Sequence, residues 1–152
     1  MGVATAKTHR FPVEVRWLEG KLTLAAPPGK QPLAVATPPE FNGGVEGIWS
    51  PEDLFVASVA SCFTVTLVSA ARRHDVPLLK LVVDGSGAVS RRPDGAYGFV
   101  SVDLEVELET AAGRERDARA ALDDAERTCL VAVSLDTPVD VRASVTAAHA
   151  AA

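Results

Sequence analysis

From Leu54 to Ala71 the chain runs for 18 residues without a charged side chain, between Pro51-Glu52-Asp53 and Arg72-Arg73-His74. A run this long and apolar has to leave water, and its flanks say in what form. Ser50 suits an N-cap and Pro51 the first helical position, with the two acids at the positive end of the helix dipole. The arginines suit the negative end, and Pro77 stops the helix. The run stands at the lower edge of a membrane span. Ser58, Ser61, Thr64, Thr66 and Ser69 nevertheless place five hydroxyls inside it. The expectation is a buried core helix, with no membrane partner. Such a helix is apolar nearly all round, so one sheet covers only part of it, and a second copy of the chain is the economical cover for the rest.

The segments on either side read as strands. Residues 11–17 alternate, with Phe11, Val13, Val15 and Trp17 on one face and Glu14 and Arg16 on the other, the pattern of a half-buried strand. Leu18-Glu19-Gly20 turns that strand into a partner at Lys21–Leu24, and a third strand is expected over Leu33–Thr37. Pro38–Pro51, rich in Pro and Gly, is a loop. After the helix come a glycine-interrupted strand at Leu79–Ser90 and a regularly alternating one at Phe99–Glu109. In the latter, Val100, Val102, Leu104, Val106 and Leu108 are expected to point inward. Ala118, Leu122, Ala125 and Cys129 form one apolar stripe on a second helix, from about Arg114 to Leu130. A last strand follows at Pro138–Thr146, then an alanine-rich tail expected to fray. Strands and helices are segregated along the chain rather than alternating. The fold class is therefore α+β with largely antiparallel pairing, in a single domain over 1–152.

Composition narrows the function. The 152 residues are 47% hydrophobic and 23% charged, with net charge −5 and a pI near 5.2. No cluster of Lys and Arg exceeds two residues, so no nucleic-acid partner is expected. The first eleven residues lack an apolar core, so no leader peptide is expected and a cytoplasmic location is the default. Two cysteines and three scattered histidines suggest neither a disulfide scaffold nor a zinc site, and no metal or cofactor is expected. Cys62 and Cys129 themselves admit two readings. Each can be a small hydrophobe on a buried helix face. As both faces pack on a common core, the two can equally form a disulfide-capable pair.

"SPEDLFVASVASCF" (50–63), with "AERTCLVAVS" (125–134), resembles the OsmC/Ohr family of organic hydroperoxide reductases. The Pro-Glu-Phe-x-Gly-Gly loop at 39–44 belongs to the same likeness, which extends over roughly Glu14 to Thr146. The resemblance implies an intertwined α+β homodimer in which antiparallel sheets surround a central buried helix. It implies a peroxidatic Cys62, a resolving Cys129, and Glu52 holding an arginine that meets the thiolate. It also implies an organic hydroperoxide as substrate and a dihydrolipoyl dithiol as reductant. Along a straight helix Glu52 lies ~15 Å from Cys62 and about 80° out of phase, which is why an arginine is needed between them. The family keeps that arginine in the first hairpin turn or the loop before the helix, and neither place holds one here. Arg16, on the first strand beside the turn, is the candidate for this role. Lys21 is a poorer one, because an ammonium lacks the planar fork of a guanidinium. The alternative function is a non-enzymatic dimer that binds a small hydrophobic molecule or senses redox state.

Overall fold

The computed structural model describes residues 6–148; the last four residues of the alanine-rich tail and the first five residues, on which the leader expectation partly rests, lie outside that range. Six strands and three helices follow in the order β1 Glu14–Glu19, β2 Leu22–Ala26, β3 Leu33–Ala36, α1 Pro51–Arg73, β4 Leu78–Arg91, β5 Tyr97–Thr110, α2 Glu115–Thr128, α3 Leu130–Val133 and β6 Val139–Ala147. The α+β class holds. Residue contacts divide the chain into two compact units, Met1–Leu54 and Phe55–Ala152, with the boundary inside the first turns of α1.

The first unit is an antiparallel sheet in the order β1-β2-β3. Gly20, at φ +48, turns β1 into β2 in a left-handed conformation that a side chain disfavours. The half-buried strand expected at 11–17 is corrected in two respects. It starts only at Glu14, and Phe11, Val13, Val15 and Trp17 are all exposed, Trp17 at 69%. The alternation is real, but β1 is an edge strand and nothing in its own unit lies on its apolar face. Ser50, buried, closes the unit as the cap of α1. Its hydroxyl accepts from Asp53 N at 3.0 Å, while Asp53 Oδ2 accepts from Ser50 N at 2.8 Å. This is a reciprocal capping box with Asp in the position usually held by Glu.

The second unit packs the sheet β4-β5-β6 against α1 and α2. Its core holds Val59, Phe63 and Leu67 from α1, Val102, Leu104, Val106 and Leu108 from β5, and Ala118, Leu122 and Ala125 from α2. β4 and β5 are antiparallel, but β6 joins β5 in parallel, which the expected antiparallel pairing did not include. Val100 does not point inward and is 38% exposed. Ala88 pairs with Ser101 and Val89 with Phe99, so Val100 is the extra residue of a bulge. Beyond it the alternation changes phase and Phe99, not Val100, faces α1, where it stacks on Phe55 at 4.3 Å.

α1 is buried along one stripe only: Val59, Phe63, Leu67, Ala70 and Ala71 are enclosed, whereas Val65 is 63% exposed. By length and composition alone the helix could cross a membrane. Four of the five hydroxyls in its uncharged run are accounted for inside the helix. Ser58, Ser61, Thr64 and Ser69 donate to the carbonyls of Phe55, Ala57, Ala60 and Val65, so these groups are satisfied at a three- or four-residue spacing rather than held ready for a ligand.

Candidate active site

Cys62 lies in the fourth turn of α1, half-buried, beside the enclosed Phe63 and against the core of the second unit. Cys129 was expected on a continuous helix. Instead the helix breaks at that residue: Cys129 takes φ −63, ψ 105, ending α2 and preceding the four-residue α3. Thr128, Val131 and Val133 are β-branched and poor helix formers, and the Thr128 hydroxyl bonds back to Asp124 O at 2.7 Å. The ladder resumes directly, Val133 N donating to Cys129 O at 3.0 Å. The bend leaves Cys129 at 0% exposure with Leu130 and Val133 turned outward, at 70% and 61%.

Both cysteines are free thiols, and the fold brings them together from the middle of α1 and the end of α2. Burial pushes the Cys129 thiol up from its ordinary value; the amides of Ala132 and Val131 oppose that rise, and the neighbouring Cys62 thiol adds to it. Cys129 is thus held protonated at neutral pH.

Glu52 stands in the first turn of α1, and its Oε2 is one of two buried side-chain atoms without a hydrogen-bond partner among the described residues. A carboxylate oxygen removed from water and left unpaired is a place for a donor. Arg16 does not fill it: its Nη2 donates to Glu14 Oε1 at 2.7 Å, with both side chains about two-thirds exposed. Lys21 Nζ donates to the carbonyl of Asn42 at 2.5 Å, its stem lying along Gly43 in the loop before the helix. Among the described residues of the second unit, no arginine or lysine bonds to Cys62. Of the four residues singled out in the sequence, the structure packs the two thiols into one core, sets Glu52 with a vacant acceptor, and leaves Arg16 on the surface.

Sequence reasoning missed Phe55 and Phe99, stacked two helical turns N-terminal to Cys62, and the two glycines of β4 that let α1 and the Phe99 ring come close. A Cβ on Gly87 would stand 2.6 Å from the Phe99 ring and 2.8 Å from Val56; one on Gly85 would meet Val56 at 3.0 Å. The sign was there, because glycine inside a strand marks a close approach. The bulge at Val100 that brings Phe99 round was not legible.

These elements define the class. The OsmC-like protein family model matches residues 44–144, two-thirds of the chain. The protein belongs to the OsmC-like family. Among solved structures, an OsmC-like protein of unknown function from Vibrio cholerae is similar, at 16% identity and TM-score 0.83, over 90% of this chain and all of that one. An organic hydroperoxide resistance protein from Elizabethkingia anophelis matches at 15% identity and TM-score 0.73, over 95% of this chain and all of that one. Bacillus subtilis OhrB, another organic hydroperoxide resistance protein, matches at 18% identity and TM-score 0.64, over 90% of this chain and 98% of that one. At these identities the likeness is one of fold. No curated protein sequence matches the chain.

Proposed function

We propose that this protein is a thiol-dependent organic hydroperoxide reductase that works as a cytoplasmic homodimer, with Cys62 as the peroxidatic and Cys129 as the resolving cysteine. The observation that carries the reading is the meeting of the two thiols: one half-open in the middle of α1, the other sealed at the break between α2 and α3. The Cys62 thiolate attacks one peroxide oxygen, the O–O bond breaks, and the alcohol leaves with a proton. Cys62 then carries a sulfenic acid. The Cys129 sulfur displaces its oxygen as water, and the resulting disulfide is reduced by an external dithiol, of which a dihydrolipoyl group is the proposed form.

A thiolate beside Phe63 needs a positive charge to form at neutral pH. Arg16 is the proposed source: released from Glu14, its fork can join the open Oε2 of Glu52 and a thiolate together. The lack, among the described residues of its own unit, of a cation bonded to Cys62 favours one second reading, a dimer that binds a hydrophobic molecule and keeps its thiols as passengers or redox sensors. One experiment separates the two. Under the first reading the protein consumes cumene hydroperoxide with dihydrolipoamide in steady state, and one equivalent of peroxide converts both thiols to a Cys62–Cys129 disulfide on peptide mapping. No turnover and no such disulfide leaves the second.

A further inference from the structure

The two sulfurs of this pair are not equivalent. Cys129 is 0% exposed in a single protomer, whereas Cys62 is half-buried. Association with any other molecule only removes surface, so Cys129 is sealed in every assembly state and Cys62 holds whatever access the pair has. Thiol–disulfide exchange requires the incoming sulfur to reach the sulfur it attacks, in line with the bond that breaks. Resting on the reading that Cys62 and Cys129 form a disulfide, we propose that an external dithiol opens it at Cys62, with Cys129 as the leaving sulfur. The hydroperoxide and the reductant then approach the same atom in turn.

The step balances as follows. One thiolate of the dithiol bonds to Cys62 Sγ, the bond between the two protein sulfurs breaks, and its electron pair goes to Cys129, which takes up a proton. The second thiol of the reductant displaces Cys62 from the mixed disulfide and closes the oxidised reductant. Two electrons and two protons have passed to the protein. Leaving-group chemistry by itself favours the opposite direction, since burial pushes the Cys129 thiol up and a more basic thiolate leaves more slowly. That preference scales a rate, whereas a sealed sulfur cannot be attacked at all. Access decides the direction.

The test begins by oxidising the protein with diamide, which joins the thiols without peroxidase chemistry. Excess glutathione is added, the reaction is stopped early with acid and maleimide, and the peptide that carries glutathione is mapped. The expected adduct is on Cys62 with Cys129 free; an adduct on Cys129 overturns the proposal. If adducts resolve too fast to map, the single variants decide through their native reaction with an aromatic disulfide. Cys129→Ser, which keeps Cys62, should react at least about tenfold faster than Cys62→Ser, which keeps Cys129; equal rates overturn it. Failure of diamide to link the two cysteines removes the pairing itself. Hydroperoxide consumption is measured separately, so loss of the peroxidase reading with opening at Cys62 intact is a distinct result.

Discussion

At the residue scale the chemistry turns on which cation meets Cys62. Arg16 is engaged with Glu14 in an exposed pair, and exposed pairs of this kind are worth at most about 1 kcal/mol. Such a contact is easily exchanged for one with a buried, unpaired carboxylate oxygen. Arg16→Ala should therefore lower hydroperoxide turnover by about two orders of magnitude, roughly 2.7 kcal/mol of lost stabilisation, while Glu14→Ala should leave it unchanged. Turnover of Arg16→Ala equal to that of the parent would move the role to another residue, with Lys21 the first to test. For Cys129, a buried protonated thiol, replacement by Ser should leave Cys62 to stall as sulfenic acid and over-oxidise under excess peroxide, read as a mass gain of two or three oxygens on the Cys62 peptide.

At the scale of elements, α1 is held to its sheet by closeness at one end and tied to α2 by a hydrogen bond just past the other. Gly87 has no room for a methyl group, because its neighbours are Val56 of α1 itself and the Phe99 ring stacked on Phe55 of the same helix. Gly87→Ala should cost about 1–3 kcal/mol, seen as a lower urea midpoint with an unchanged slope. At the far end, His74 Nε2 donates to Asp124 Oδ2 at 2.6 Å, joining the end of α1 to α2, and Arg127 bonds the other oxygen. The His74 hydrogen bond, with the nearby arginines adding to it, holds the Asp124 carboxyl below its usual range. A carboxyl depressed by folding adds stability above its unfolded value and loses it as pH falls through the folded one. Asp124→Asn should therefore unfold at lower urea than the parent at neutral pH, with the gap closing below about pH 4.

For the whole molecule, the open question is what covers the apolar surface left on each unit. Val65 on α1 is 63% exposed, and Val15 and Trp17 on β1 are 61% and 69% exposed. Light scattering should return twice the 15.9 kDa protomer mass across micromolar dilution. A charge at a truly solvated position usually changes stability by less than about 0.5 kcal/mol. Val65→Glu should thus fold as a protomer yet no longer scatter as a dimer. A value of one protomer mass for the parent, or an undisturbed Val65→Glu dimer, would remove α1 from the proposed interface.

Local patterns in the chain determined most of the elements, because caps, prolines and periodicity act over a few residues. Ser50-Pro51 and Arg72-Arg73 bracket α1 as observed, and the alternation at 99–109 marks β5. The two cysteines and Glu52 were legible as a pattern for the same reason: they lie in short contiguous motifs. What only the tertiary structure decided depends on neighbours distant in sequence. The parallel docking of β6 on β5, the bulge that trades Val100 for Phe99, and the bend that seals Cys129 all follow from packing between elements. So does the difference between the two sulfurs. Each sits on an apolar helix stripe in the sequence, and periodicity treats them alike; one became fully enclosed and the other stayed half-open because burial is a property of the assembled core.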